Sequence, residues 1–213
     1  MCVILELKPN QMIPFDKFEN AVFNNPDGYG IVMLEGGRMS IKRECPEGGN
    51  DPETIYKQLD EHKDVMRYLH LRYNTKGSTD ISNVHPFDVI SSEHYGDVVF
   101  MHNGTLHSYA PPTTAGTNDL RSDSRVFTEN FLTPLFSRIK SEMGDPFFHS
   151  IIEKHWSTAS KGLILSSKHD PIWLGSWVDV ENLKEERVVK ASNNDYFDKL
   201  KRGPEFEQRE QTN

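Results

Sequence analysis

Only two of the 213 residues are cysteine, Cys2 and Cys45, and they form no CxxC pair. A disulfide framework is excluded. No stretch approaches the roughly 18 consecutive apolar residues of a membrane span, and the N-terminus lacks the basic, apolar, small-residue order of a signal peptide. These absences lead us to expect a cytoplasmic chain with no membrane partner. Basic residues are also in deficit, with Lys plus Arg at 24 against 32 Asp plus Glu, for a formal net charge of -8. Broad nucleic-acid binding needs a concentrated basic face, so no nucleic-acid partner is expected.

The signatures of cofactor and metal enzymes are missing too. There is no G-x-x-x-x-G-K-[ST] phosphate loop. Asp27-Gly28-Tyr29-Gly30 has two glycines but no third at dinucleotide spacing, and a hairpin pattern follows where a helix would be needed. Nine histidines are present without an HExxH cluster; the pairs His149/His155 and His102/His107 fit no single helical face. The histidines read as surface or hydrogen-bonded core residues, and no metal and no cofactor is expected.

What remains is an ordinary globular balance. Hydrophobic residues at 36% and aromatics at 10% suffice for a core at this length without disulfide or metal. Cys2 to Leu7 is a short apolar, β-branched run that predicts a buried strand. Phe15, Phe18, Val22 and Phe23 have helical spacing behind Pro14. Tyr29–Glu35 and Met39–Arg43 flank Gly36-Gly37 as a hairpin. Glu53–His62 predicts a helix; Val65–Tyr73, Phe87–Ile90 and Asp97–Met101 predict strands. Residues 111–118 read as a loop. Phe127, Phe131, Leu135 and Ile139 recur every four residues, an amphipathic helix with a kink or a junction at Pro134. A further helix is expected around Phe147–Ile152, then strands at Leu163–Ser166, Ile172–Trp177 and Arg187–Ala191. Strands flanking a helical middle suit layered α+β packing better than an alternating β-α-β series. One domain over residues 2–200 is expected, with a polar, disordered tail at 201–213.

Cys2 has chemical potential that depends on its position. Aminopeptidases remove Met1 when a small residue follows, which would leave a thiol beside a free α-amine. Unperturbed pKa values of about 8.5 and about 7.7–8.0 let that amine take the thiol proton, so one residue supplies nucleophile and base. Read alone, Cys2 is just as well a small residue in an N-terminal strand. Arg72 alone reads as a strand-end charge, and Asp123 alone as a helix N-cap ahead of Val126 and Phe127.

Four segments weigh against those plain readings because of their order: Met1-Cys2, Asn25-Pro26-Asp27-Gly28-Tyr29-Gly30, His70-Leu71-Arg72-Tyr73-Asn74-Thr75 and His102-Asn103-Gly104-Thr105-Leu106. Ser122-Asp123-Ser124 and His85-Pro86-Phe87 add to them. Together, across roughly residues 2–125, they resemble the glutaminase domain of class II glutamine amidotransferases, the family with an N-terminal nucleophile. Ala191-Ser192-Asn193 also resembles the way such domains end. The resemblance implies a four-layer αββα sandwich of the N-terminal-nucleophile hydrolase type.

It further implies roles for named residues. Cys2 would attack the side-chain amide of L-glutamine, with its own α-amine moving the proton. Asn103 and Gly104 would stabilise the oxyanion; Arg72 would bind the α-carboxylate and Asp123 the α-ammonium; Thr75 and Gly28 would line the substrate. The product would be ammonia, released from a γ-glutamyl thioester and passed to a partner synthase in trans. Two departures stand out: Arg125 follows Ser124 where the family often has an acidic residue, and a stand-alone chain of the kind phage genomes carry would lack a fused synthase. Two rival expectations are a hydrolase of γ-glutamyl peptides or other linear amides using the same nucleophile, and a catalytically silent regulatory module. His70, His102 and Cys45 are expected to be packing or bystander residues.

Overall fold

Strand β1 (Val3–Leu7) is buried along its whole length, which requires cover on both faces. The computed structural model describes residues 2–111, 119–157, 159–182 and 187–193. The expected tail at 201–213 and most of the expected loop at 111–118 lie outside the described residues. After β1 come α1 (Phe15–Phe23), β2 (Tyr29–Glu35), β3 (Arg38–Glu44), α2 (Pro52–Glu61), β4 (Met66–Leu71), β5 (Phe87–Ser92) and β6 (Gly96–Asn103). Helices α3 (Asp123–Phe127), α4 (Thr133–Arg138) and α5 (Pro146–Glu153) precede β7 (Lys161–Ser166), β8 (Ile172–Leu174), β9 (Val178–Asn182) and β10 (Arg187–Ala191).

Local chemistry starts the helices where the sequence places them. Asp51 accepts from Thr54 N–H ahead of Pro52, and Asp145 accepts from Phe147 N–H ahead of Pro146. A proline at the first helical position forfeits only an N–H that has no helical partner. The strands assemble into two antiparallel sheets ordered β3-β2-β4-β1-β10-β9 and β5-β6-β7-β8. Alternation along β1 then divides its side chains. Val3, Leu5 and Leu7 pack with Phe18, Ala21, Val22, Ile55 and Leu59 of α1 and α2. Ile4 packs the other way, with Val99, Met101, Leu163 and Leu165 of the second sheet. The outer face of that sheet carries Phe100 and Ile164 against Phe127, Phe136, Phe148 and Ile152. Helices, sheet, sheet and helices form the αββα sandwich. Full burial of an aliphatic side chain is worth about 1.5–3 kcal/mol, so β1 is held far more firmly than most chain ends.

Two sequence expectations change. The strand expected over Ile172–Trp177 ends at Leu174, because Gly175 takes φ +79 and a Cβ there would meet the backbone of Ser160. The chain then crosses to the other sheet as β9, which the sequence pattern did not reveal. The second is the run around Pro134: the expected junction is there, with α4 starting at Thr133 and Pro134 in its first turn, but the segment before it is not regular α-helix. The helical run continues from α3 to α4 through a π turn over Thr128–Leu132. Pro134 has no N–H to close the usual bond four residues back, and a wider turn accommodates that loss.

Candidate active site

Antiparallel register brings the sequence motifs to one place. Val3 of β1 lies opposite Leu71 of β4, and Leu71 is also opposite Tyr29 of β2. The start of β1, the start of β2 and the end of β4 therefore share one edge, which places Cys2, Gly28 and Arg72 together. The backbone ties the last two directly: Arg72 N–H donates to Gly28 O at 2.9 Å, and Asp27 N–H donates to Arg72 O at 3.0 Å.

Cys2 is partly buried, and its Sγ lies 3.4 Å from Tyr73 N and 3.5 Å from Tyr73 O. Burial pushes the thiol pKa up; the Tyr73 N–H and the Arg72 charge pull it down, and Asp123 adds to the rise. A thiol raised in this way keeps its proton at neutral pH and needs a base to become a nucleophile. Arg72 and Asp123 are both within electrostatic reach of that sulfur.

Arg72 is 3% exposed, so it is no solvated strand-end charge. Its Nη2 donates to Asn74 Oδ1 at 3.0 Å and to Ser78 O at 2.9 Å, and Nη1 lies 3.5 Å from Asp27 O. The guanidinium is thereby fixed along one edge. Asp123 is not the helix cap: Ser122 accepts the Arg125 N–H at the start of α3. The Asp123 carboxylate instead accepts Leu106 N–H at 2.6 Å and Ser124 N–H at 2.9 Å, joining α3 to the Asn103-Gly104 turn.

Asn103 ends β6, and Gly104 follows at φ +138. A Cβ on Gly104 would stand 2.9 Å from Ser160 Cα in a backbone region that side chains avoid. Gly104→Ala is expected to cost about 3 kcal/mol from strain and overpacking, and to lower Tm by about 6–12 °C in a scanning calorimeter. A shift below about 2 °C would show that the turn has room to relax.

Thr75 is exposed on the turn beyond Arg72, and among the described residues no hydrogen bond joins it to Cys2, Arg72 or Asp123. Gly28, at φ +109, packs against Val84 and the Glu44 carbonyl and supports Arg72 through its own carbonyl. Cys45, expected as a bystander, lies near enough to Arg72 for that charge to act on its thiol, although burial still raises the thiol pKa.

Two contributors were given no site role from the sequence, where they only marked the end of the domain. Ser192 Oγ lies 2.9 Å from both Ile4 N and Asn103 Nδ2, and Asn193 Nδ2 donates to Cys2 O at 3.0 Å. The end of β10 thus grips Cys2 and the first residues of β1. His70 and His102 do pack, but as polar residues: His70 stacks on His85 at 4.1 Å, and His102 Nδ1 lies 2.8 Å from Ser124 Oγ. Among the described residues no group of three or more His, Cys, Asp or Glu is placed to hold a metal ion, and no helix is long and apolar enough to cross a membrane.

The family described as class-II glutamine amidotransferases matches residues 5–146, about two thirds of the chain. Among solved structures, the glutamine phosphoribosylpyrophosphate amidotransferase of B. subtilis, complexed with ADP and GMP, superposes with a TM-score of 0.55 at 16% identity, covering 94% of this chain and 43% of that one. An allosteric regulatory enzyme of purine biosynthesis gives 0.57 at 18% identity, covering 90% and 42%. The chain spans less than half the length of either, and at these identities the likeness speaks for the fold: the N-terminal-nucleophile hydrolase sandwich. No curated protein matches the chain.

Proposed function

The chain belongs to the class II glutamine amidotransferases, and on that premise we propose that it hydrolyses the side-chain amide of glutamine through Cys2 and delivers the ammonia to a partner synthase. The observation that carries this reading is the setting of the thiol: a buried cation, Arg72, and a buried carboxylate, Asp123, both act on Cys2. A free amino acid presents the complementary pair, an α-carboxylate and an α-ammonium.

Removal of Met1 exposes the α-amine of Cys2. That amine takes the thiol proton as sulfur attacks the amide carbon. The carbonyl π electrons move to oxygen, where the Asn103 side-chain N–H and the Gly104 backbone N–H stabilise the charge. As the tetrahedral intermediate collapses, the C–N bond breaks and the amine returns its proton to the leaving nitrogen, releasing ammonia. Water then adds to the γ-glutamyl thioester, giving a proton to the amine. The C–S bond breaks, glutamate leaves and the thiol is restored. Gly28 keeps Arg72 at the carboxylate end of this site, and Thr75 borders it.

Intact-mass measurement before and after exposure to 6-diazo-5-oxo-norleucine tests the assignment. Loss of Met1, one adduct mapped to Cys2 and ammonia release from glutamine are expected. A Met1-free protein that takes no adduct and releases no ammonia would sink it. Release of an amine from γ-glutamyl peptides in place of ammonia from glutamine would move the assignment to a peptide hydrolase.

A further inference from the structure

We propose that Ser192 is a positioning residue that sets the orientation of the Asn103 amide; the inference rests on Asn103 serving the oxyanion as read above. Ser192 is fully buried, and its hydroxyl is a junction for two segments far apart in sequence. Ile4 N–H donates to Ser192 Oγ at 2.9 Å, and Ser192 N–H donates back to Ile4 O at 2.9 Å. Asn103 Nδ2 lies 2.9 Å from the same oxygen, whereas Asn103 Oδ1 is buried with no partner among the described residues.

Donor and acceptor arithmetic favours the turned amide. A hydroxyl offers one hydrogen and two acceptor sites. With Nδ2 against Ser192, the hydroxyl accepts twice, its hydrogen has no acceptor among the described residues, and Oδ1 is left unpaired. Oxygen and nitrogen of an asparagine amide exchange places by a half-turn about the last side-chain bond, and the hydrogen-bond network decides between them. After that exchange, Ser192 accepts from Ile4 N–H and donates to Asn103 Oδ1. The Asn103 N–H2 then occupies the position for which the described residues supply no acceptor. That position is closed to solvent in the free protein, so the amide meets the oxyanion, beside the Gly104 N–H, only where bound glutamine opens it. Strand β1 starts directly after Cys2 and carries Ile4, which donates to Ser192, so the thiol and the oxyanion donor are held in one frame.

The test compares the wild-type protein with Ser192→Ala and Ser192→Thr, the latter keeping the hydroxyl. Readouts are kcat and KM for glutamine, and the rate at which iodoacetamide alkylates Cys2, a reaction that needs the thiol but no oxyanion donor. Ser192→Ala is expected to lower kcat about 10- to 100-fold, a misaligned donor losing much of its worth. KM and the alkylation rate should stay within about twofold, and Ser192→Thr should recover most of kcat. In an Asn103→Ala background, adding Ser192→Ala should cost no further kcat, because the two act as one unit. Ser192→Cys, similar in volume but a weak donor, should show the same kcat loss if the alanine variant is too unstable to purify. The proposal is overturned if Ser192→Ala keeps kcat within twofold of wild type, if alkylation falls in proportion to kcat, or if the losses in the double variant multiply. Failure of the wild-type protein itself to hydrolyse glutamine would instead overturn the functional reading beneath it.

Discussion

Cys2→Ser is expected to lower glutamine hydrolysis at least about 1,000-fold, and Cys2→Ala to leave no hydrolysis above background, with Tm unchanged within about 3 °C in both. Folding has little at stake in this side chain. Cys2 is only partly buried, and Sγ meets the Tyr73 backbone at long distances of 3.4 and 3.5 Å. The reaction has everything at stake, because Cys2 is the group proposed to attack the amide carbon and its own α-amine is the proposed base. A serine hydroxyl holds its proton far more tightly than a thiol, so an α-amine of pKa about 7.7–8.0 is a poor base for it. A protein that retains Met1 should be as inactive as Cys2→Ala, since the amine is then locked in a peptide bond.

The same mechanism fixes the sign of the pH profile. The amine must be neutral to accept the thiol proton, so kcat/KM should fall about tenfold per pH unit below the amine pKa. Because burial raises the Cys2 thiol, spontaneous thiolate does not replace the base at higher pH. Ammonia release followed from pH 6 to 9 checks this, and a profile flat across that range would remove the amine from the mechanism.

Much of the site was legible because each motif sits at the end of a strand or the start of a helix, where short-range chemistry shows. Tyr29–Glu35 and the Gly36-Gly37 turn came directly from strand pattern and turn composition, and α2, expected at Glu53–His62, spans Pro52–Glu61. Long-range pairing left no such mark. Nothing local to Val3–Leu7 indicates that it lies between β4 and β10, and that placement is what brings Ser192 to Ile4 across 188 positions. The crossing at Gly175 was hidden because the apolar residues on both sides of Gly175-Ser176 read as one strand over Ile172–Trp177. Arg72 and Asp123 were ambiguous alone for a related reason: strand-end charge and helix cap are statements about neighbours in sequence, whereas burial and the Leu106 N–H are contributed by neighbours in space.

The histidine trio was the least legible feature, and it predicts a steep loss of stability in mild acid. His70, His85 and His102 are 0%, 4% and 2% exposed and meet between the sheets and α3. His70 Nε2 lies 3.0 Å from His102 O, but among the described residues His70 Nδ1, both nitrogens of His85 and His102 Nε2 have no partner. Burial pushes the His70 pKa down to about 3, helped by the Arg72 charge, and pushes His85 well down, helped by His70, His102, Arg72 and Arg43. Burial lowers His102 as well, with Asp123 opposing. An unfolded histidine titrates near 6.5, so below that pH the unfolded chain binds three protons that the folded one refuses. Stability is therefore whole above about pH 6.5 and falls as pH drops, each histidine contributing a slope of about 1.4 kcal/mol per pH unit. Between pH 6 and 5 the three together remove about 3–4 kcal/mol, a large share of a typical total of about 5–15 kcal/mol. Urea unfolding at pH 7.5, 6 and 5 should show that drop, and His85→Phe, which keeps a ring against His70, should reduce the slope by about one third. A loss under about 1 kcal/mol per unit would mean that the imidazoles accept protons in place, and the interior around His85 would then have to be wet.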